Sequence, residues 1–441
     1  MYEIVVGRSE QDRKKLGLRG SVLLGKQYVE MGRTTSLSTD VFMDVNRSHV
    51  VFVAGKKGSG KSYCLSAIAE GIMELDSEIR QNISMILFDT MGVFWTMKFP
   101  NTKDSELLKK WNIKPRGMDV QIFTPIGVFE KYKNEGVPTD FPLSIRPSEL
   151  DADDWCSSFG IDRNSEIGVL IEKVINFLLE NKSNYSVDDI IDAVKDDLKT
   201  EEKVKDAVIN RFENAKKWGL FDVRGTEIKD IAIGGKISVI DASAYAILPN
   251  GWAIKSLLIG LIAKKLFIER MKVRRGEEFE QLKSLQSYFK EEEVSKEKKE
   301  PLVWLMIDEA HEFLPNRGST TATLPLITIL REGRQPGISM ALATQQPGKI
   351  HTDVMTQSDI ILGMRLTAKV DTDALQQLAQ SFMREGIESS INKLPRVPGA
   401  SVLIDDQNER VFSIQVRPKA TWHGGEAPSA MVEQKEIEKS L

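Results

Sequence analysis

The chain has 441 residues, of which 41% are hydrophobic, so it can bury a large core, and roughly 150 residues per domain suggests two or three units. Its 60 Lys and Arg residues nearly balance 64 Asp and Glu residues, which excludes an overall positive field, so contact with nucleic acid would need a local basic lining. The 2 cysteines and 4 histidines show no metal-ligand spacing, which excludes a disulfide framework and a zinc site.

The apolar segments do not favour a membrane or a secreted protein. The N-terminus has no long apolar stretch after a basic start, so no signal peptide is predicted. The most apolar helix, predicted over about 253–267, is interrupted by lysines and is too short to span a bilayer. A cytoplasmic protein without membrane contact is therefore expected.

Residues 1–47 alternate short apolar runs with turn residues and predict a strand-rich, barrel-like N-terminal piece. Residues 48–146 alternate predicted strands, among them Met85–Phe88 and Val120–Phe123, with helices. This alternation predicts a parallel sheet with right-handed crossovers. The segment therefore forms the first part of an α/β core.

The apolar run Val50–Val53 leads directly into Gly-x-x-x-x-Gly-Lys-Ser, a phosphate-binding P-loop. Its glycines let successive backbone N–H groups point at phosphate oxygens, and the following helix adds its positive N-terminal end. Lys61 would reach the β- and γ-phosphates, and the Ser62 hydroxyl would hold Mg²⁺. The predicted nucleotide contacts are Gly55, Lys57, Gly58, Ser59, Gly60, Lys61, Ser62 and Tyr63.

Residues 147–225 change to helical periodicity and predict an inserted helical subdomain. Within it, Ser186 and Asp189 resemble a capping box with Asp in place of Glu. The mixed charge of the insertion favours a structural lid or a subunit contact over a contact with nucleic acid. The core resumes over 226–425, where the highly charged stretch 270–300 is predicted as an exposed helix end and loop.

A continuous apolar run, Pro301–Ile307, ends in two acids. Such a run fits a central parallel strand, whose carboxyl end is where open α/β sheets place their ligands. Asp308 would orient Mg²⁺ through its water shell, and Glu309 would polarise the attacking water as general base. The alternative is a solvated acidic strand end without a catalytic role.

The predicted strand Ile338–Thr344 ends at a polar amide, so Thr344 or Gln345 is predicted to sense the γ-phosphate. Arg331 and Arg334 precede this strand at a helix end broken by Gly and Pro. Either would fit an arginine finger, which stabilises transition-state charge and ties hydrolysis to assembly when a neighbouring subunit supplies it. The alternative is a pair of helix-end arginines that complement the helix dipole.

The C-terminal part of the core contains a further strand and a hairpin. The strand is predicted over 359–366, and the hairpin joins 402–404 to 411–414 around a polar turn. Residues 426–441 are polar and are predicted as a tail that crosses to a neighbour.

Five segments carry a resemblance to a known family. They are Leu24-Gly25-Lys26 with Gly32-Arg33, the loop Gly55 to Ser62, the strand end Asp308 to His311, the block Glu332 to Gln345, and Val416-Arg417-Pro418 with His423-Gly424-Gly425. Together they resemble the HerA-type translocases, in the larger group that includes the FtsK DNA pumps and the conjugation coupling ATPases. The resemblance implies a RecA-like P-loop NTPase core with a mainly parallel sheet.

The resemblance also implies roles for single residues. It assigns Lys61 and Ser62 to phosphate and Mg²⁺, Glu309 to catalysis, Arg334 to a finger acting across a subunit boundary, and Gln345 to sensing. It adds Arg417 and His423 to the nucleotide contacts, and Asp89 to Ser62 and Asp308 as metal residues. The chain departs from the family after Asp89, because Val93 stands where the family has a glutamate, and its N-terminal piece is shorter than the family's barrel.

The implied function is a ring-forming, hexameric ATPase that uses ATP and Mg²⁺ to move along double-stranded DNA as a translocase or helicase. A NurA-like nuclease or another effector would be its partner in DNA end processing or defence. A secretion, conjugation or DNA-packaging motor shares the P-loop, second acid and sensor and is the first alternative. A nucleotide-dependent scaffold for an effector nuclease is the second, and Glu309 argues against it.

Overall fold

A thirteen-stranded mixed sheet forms the centre of the computed structural model, which describes residues 3–31, 34–286, 300–378 and 384–425. Within these ranges the strands are β1 (Ile4–Val6), β2 (Ser21–Met31), β3 (Thr34–Asp44), β4 (Val50–Ala54), β5 (Ile83–Asp89), β6 (Val120–Pro125), β7 (Phe141–Leu143), β8 (Ile237–Asp241), β9 (Leu302–Ile307), β10 (Ile338–Thr344), β11 (Ile360–Met364), β12 (Ala400–Asp405) and β13 (Arg410–Val416). Their spatial order is β1-β3-β2-β13-β12-β11-β4-β10-β9-β5-β8-β6-β7. All neighbours from β11 to β7 in this order pair in parallel, so their carboxyl ends share one edge.

Helices cover both faces of this sheet. Within the described ranges they are α1 (Glu10–Leu16), α2 (Lys61–Met73), α3 (Ser77–Arg80), α4 (Ser105–Lys110), α5 (Ile126–Asn134), α6 (Ala152–Phe159), α7 (Glu166–Asn181), α8 (Val187–Lys195), α9 (Glu202–Lys216), α10 (Ile228–Ile231), α11 (Gly251–Gln286), α12 (Thr323–Glu332), α13 (Thr352–Gln357), α14 (Lys369–Leu378) and α15 (Arg384–Lys393). In this part of the chain no helix is both long and apolar enough to cross a bilayer.

Alternate residues of β4 enter different halves of the core. Val51 and Val53 pack in a cluster with Leu65 and Ile68 of α2. Phe52 belongs to the cluster on the other face, which also contains residues of α7, α9, α11 and α12. A strand that is buried on both faces needs apolar residues at every position, which is why the run before the P-loop is continuous.

The N-terminal strands, predicted as a strand-rich, barrel-like piece over 1–47, extend the main sheet. β2 and β3 form a long hairpin, and β2 pairs antiparallel with β13, where Gly25 lies opposite Val416. A side-chain carbon at Gly25 would collide with the carbonyl oxygen of Gln415, so glycine permits this close approach.

Two helical predictions have different outcomes. The capping box that begins α8 is confirmed, because Ser186 Oγ accepts from Asp189 N at 3.1 Å and the Asp189 carboxylate accepts from Ser186 N at 2.7 Å. α11 is longer than the predicted 253–267, and Arg274 pairs within it with Glu277 and Glu278. Such pairs support an exposed helix beyond its apolar half. Most of the predicted charged loop, Gly32-Arg33 and the tail 426–441 lie outside the described residues.

A buried cluster of charges holds the amino end of β4. His49 Nδ1 lies 2.6 Å from Asp359 Oδ2, and its Nε2 lies 3.1 Å from Asp44 Oδ2. Arg8 donates from Nε to Asp44 Oδ1 at 2.7 Å. Burial lowers the pKa of His49, but the two aspartates outweigh burial and raise that pKa to about 9. The imidazolium therefore ties the N-terminal hairpin to the core.

Candidate nucleotide-binding and catalytic site

Three adjacent strands bring the predicted motifs to one edge of the sheet. β10 lies between β4 and β9, with Thr344 opposite Ala54 and Leu342 opposite Ile307. The P-loop, the polar end of β10 and the two acids follow the carboxyl ends of these strands. They therefore meet where parallel sheets place their ligands.

The P-loop has the backbone geometry of a phosphate cradle. Gly58 and Gly60 have φ values of +75° and +103°, a region that favours glycine. A side-chain carbon at Gly55 would approach Ser59 Oγ to 2.5 Å. That hydroxyl is buried without a hydrogen-bond partner, and within the described chain the N–H groups of Gly58 and Gly60 donate to no acceptor. These free donors fit an anionic ligand.

The first residues of α2 face Asp308 and Glu309, the two acids that follow β9. Lys61 is only 7% exposed, and its Nζ donates to Lys56 O at 3.4 Å. Burial lowers the pKa of Lys61, and the nearby carboxylates of Glu309 and Asp308 oppose this change. The Ser62 hydroxyl donates to Asp308 Oδ2. The two motifs are 246 residues apart in sequence and touch in space.

Glu309 has the environment of a proton acceptor. Its backbone φ is +52°, which is unusual for a residue other than glycine, and its buried Oε2 has no hydrogen-bond partner among the described residues. Burial, followed by repulsion from Asp308, raises the pKa of Glu309 to about 7, while Lys61 opposes the shift. A carboxylate whose pKa lies near neutrality beside a phosphate cradle suits general-base chemistry.

His311 connects Glu309 to the end of β10, a role that was not predicted from the sequence. Its Nδ1 lies 3.1 Å from Thr344 Oγ1 and 3.6 Å from Glu309 Oε2, and its Nε2 lies 3.4 Å from Gln346 Nε2. Burial lowers the pKa of His311, which favours the neutral imidazole. In the sequence, only the position of His311 two residues after Glu309 indicated this role.

The residues that could hold Mg²⁺ are fewer than predicted. Ser62 and Asp308 lie in contact, and Asp308 is 3% exposed. Asp89 was predicted as a third, but its carboxylate accepts from Val93 N at 2.9 Å and Phe94 N at 2.7 Å and so stabilises the turn after β5. The described ranges contain no cluster of three or more His, Cys, Asp or Glu suited to a metal. A hydroxyl and one carboxylate fit Mg²⁺, which keeps several waters when phosphate completes its shell.

A cavity of about 820 Å³ adjoins the P-loop and has the size of a nucleoside site. Gly58 and Gly60 form one wall, and Tyr63, Trp111 and His423 contribute aromatic rings. The Tyr63 and His423 rings meet edge to face with centroids 5.3 Å apart. The structure therefore brings two of the predicted nucleotide contacts, Tyr63 and His423, to the same cavity.

Arg417 has a different position from the one predicted. Its side chain is 2% exposed, and its guanidinium pairs with Glu74 at 2.7 Å and Glu70 at 3.2 Å. Glu70 also accepts from Ala420 N at 2.7 Å and Thr421 N at 3.0 Å. Arg417 thus fixes the segment before His423 to α2, and this geometry does not support a direct contact with nucleotide.

Comparison with known proteins places these features in a family. The family described as "Helicase HerA, central domain" matches residues 29–251, which is just over half of the chain. The chain belongs to this HerA family. The match includes the P-loop and α6 to α9. It ends before β9 and the two acids that follow it, Asp308 and Glu309.

Two curated HerA relatives resemble part of the chain. The probable DNA double-strand break repair helicase HerA of Methanocaldococcus jannaschii is 27% identical over 162 residues, which are 34% of this chain and 30% of that protein. The DNA double-strand break repair helicase HerA of Pyrococcus furiosus is 26% identical over 160 residues, 34% of this chain and 28% of that protein. The matched stretch thus spans less than a third of either relative.

A solved structure supports the fold of this HerA-family chain over most of its length. VirB4 of Thermoanaerobacter pseudethanolicus superposes with a TM-score of 0.54, covering 90% of this chain and 96% of that one, at 11% identity. The likeness concerns fold alone. It confirms the prediction of a RecA-like P-loop ATPase core with a mainly parallel sheet.

The two predicted finger arginines lie at the opposite edge of the sheet from the P-loop of this HerA-family chain. Both precede β10, whose seven residues span about 20 Å, so neither side chain reaches the P-loop of its own chain. Arg331 pairs with Asp353 at 2.7 Å. Arg334 is exposed and has no ion-pair partner in the described ranges.

Proposed function

We propose that this chain is an ATP-dependent motor for double-stranded DNA that works as a ring, a hexamer, in which each catalytic site is completed by the neighbouring copy. The observation that carries the proposal is the separation of its catalytic parts. The cradle and Glu309 lie at one edge of the sheet, and Arg334, which has no ion-pair partner among the described residues, lies at the other. A head-to-tail ring would bring one edge against the other.

In the proposed site, each residue has a distinct task. Lys61 and the P-loop N–H groups neutralise and orient the triphosphate, and Ser62 with Asp308 would hold Mg²⁺, which supplies charge neutralisation when bound. Glu309 would take a proton from the attacking water, since its Oε2 accepts no hydrogen bond from the described residues. Gln345 follows β10 beside Glu309 and would report the γ-phosphate. Arg334 of the adjoining copy would stabilise the transition-state charge.

The DNA substrate is inferred from family membership, because both curated relatives are named as DNA double-strand break repair helicases. A nuclease partner of the NurA type, and a role in end processing or defence, belong to the same proposal. The division of the chain into a core interrupted by a helical subdomain over 147–225 is likewise proposed from the positions of α6 to α9.

The first test measures ATP turnover with and without linear duplex DNA at two salt concentrations, together with mass in solution. We expect a ring, and stimulation by DNA that weakens at higher salt, because phosphate contacts release counterions. Glu309→Gln should bind ATP and hydrolyse it at least 100-fold more slowly, in the range of general-base catalysis. Unchanged turnover in Glu309→Gln would remove this residue as the base.

Mixing two inactive variants tests the shared site. Lys61→Ala loses the cradle and Arg334→Ala loses the finger, so a mixed ring contains some seams where an intact cradle meets an intact finger. Turnover should therefore reappear on mixing, while Arg331→Ala, whose guanidinium is paired with Asp353, should stay active alone. A monomer that hydrolyses ATP at full rate would contradict the ring mechanism. If the protein forms a ring but its ATP turnover is the same with and without DNA, a motor that moves another substrate would be favoured instead.

A further inference from the structure

A groove lined by both polar and apolar side chains lies on the helical segment, away from the nucleotide site. It has a volume of about 600 Å³ and runs between the C-terminal half of α9 and the turn formed by residues 248–250. Asn210, Arg211, Asn214, Lys217 and Trp218 contribute to its lining. Its lining residues, all of them described, include no Asp or Glu. The groove therefore offers hydrogen-bond donors and positive charge without an internal counter-charge.

The two cations of this groove are among the four in the helical segment that have no acidic partner. Of the 12 Lys and Arg residues in 146–225, eight form ion pairs with acids. Arg211 and Lys217 have no acidic partner in this fully described segment, and Arg211 only donates to Ala207 O of its own helix at 3.0 Å. The neighbouring Lys216 shows the contrast, because it pairs with Asp188 at 2.7 Å. On a surface covered with ion pairs, these two positive charges remain available to a ligand.

The spacing of the donors follows one face of α9. Asn210, Asn214 and Lys217 recur at intervals of four and three residues, so they project to the same side. Arg211 lies about 9 Å along the axis from Lys217, at 1.5 Å per residue. Trp218 is half-buried and is held against Phe159, with ring centroids 5.8 Å apart. The face thus presents amide, guanidinium and ammonium donors beside a fixed aromatic ring.

We propose that this groove binds the phosphodiester backbone of double-stranded DNA, with Arg211 and Lys217 each neutralising a phosphate and Asn210 and Asn214 donating hydrogen bonds. The proposal rests on the DNA motor function proposed above and adds a contact surface to it. These donor types contact phosphate oxygens without reading bases, so the contact is independent of sequence. Trp218 offers a flat apolar surface against which a sugar can pack.

The position of the groove separates DNA contact from ATP chemistry. α9 packs in the core cluster on the opposite face of the sheet from α2, which carries Lys61 and Ser62. Replacement of Arg211 or Lys217 removes no hydrogen bond to the P-loop or to Glu309. Turnover without DNA is therefore expected to stay unchanged in the groove variants.

The test compares two double variants of the full chain. Arg211→Gln/Lys217→Gln removes both groove cations, and Lys199→Gln/Lys203→Gln removes two exposed lysines of the same segment that also lack acidic partners but lie outside the groove. Binding of labelled duplex DNA, and of single-stranded DNA of equal length, is measured by fluorescence anisotropy across a salt series. Circular dichroism confirms that both variants are folded.

We expect the groove variant to bind duplex DNA about tenfold more weakly at low salt, and its log–log salt slope to fall by about 2, one for each lost phosphate contact. The lysine control should bind as the wild type does. Equal affinity and slope in wild type and groove variant, an equal loss in the control, or a loss confined to single-stranded DNA would each overturn the inference. A wild type that binds no duplex DNA would overturn the proposed function as well, and the two failures are thereby distinguished.

Discussion

Replacement of Glu309 by Gln should stabilise the nucleotide-free protein at alkaline pH while it slows hydrolysis at least 100-fold. The structure raises the pKa of Glu309 from its ordinary 4.5 to about 7, chiefly by burial. The protonated form therefore favours folding fully below pH 4.5, and this contribution is lost as the pH rises through 7. The side chain of Gln does not ionise, so the variant keeps this contribution to stability as the pH rises.

The size of the effect follows from the pKa difference. At 1.36 kcal/mol for each tenfold change in proton affinity, the ionisation of Glu309 costs the folded state about 3 kcal/mol above pH 8. The side chain is 18% exposed, and partial access of water reduces this to about 2 kcal/mol. For 441 residues the unfolding entropy is about 0.9 kcal/mol per degree, so the expected difference in Tm is about 2 °C.

Thermal unfolding of wild type and Glu309→Gln, followed by circular dichroism with EDTA and without nucleotide, measures this difference. The variant should gain about 2 °C relative to the wild type between pH 5 and pH 8.5. Glu130→Gln is the control, because Glu130 is exposed on α5. If the Tm difference between Glu309→Gln and wild type were the same at both pH values, the pKa of Glu309 would not be raised in the folded state.

Three further predictions concern residues outside the catalytic acid. The pKa of His49 is raised to about 9, so its stabilisation is complete below pH 6.5 and is lost as the pH rises through 9; His49→Gln should remove this alkaline transition from urea unfolding curves. Gly60→Ala should weaken ATP binding at least tenfold in calorimetry, because its φ is +103° and its Cβ would lie 3.0 Å from Gly399 N, whereas Gly136→Ala, with φ +73° and open space, should bind normally. Arg417→Met should cost about 3 kcal/mol in urea unfolding because it leaves Glu70 buried without its counter-charge, and addition of Glu70→Gln should recover part of the loss.

The elements that carry the nucleotide chemistry could be predicted from the amino-acid sequence alone. β4 and β10 occupy the predicted positions, because a buried parallel strand needs a continuous apolar run and each run ends at glycine or a polar residue. The P-loop glycines were readable for the same reason, since positive φ values at Gly58 and Gly60 are a local backbone requirement. Local patterns of this kind need no knowledge of distant partners.

Contacts between residues that are distant in sequence could not be predicted in the same way. The pairing of Arg417 with Glu70 spans 347 residues, and no local signal separates it from a contact with nucleotide. The pairing of Arg331 with Asp353 depends on how α12 packs against α13. Burial of Glu309 and the union of β2 with β13 depend likewise on the whole sheet. A charged side chain can pair with any opposite charge, and a strand edge can pair with many strands. Long-range packing therefore determines which of these pairs form.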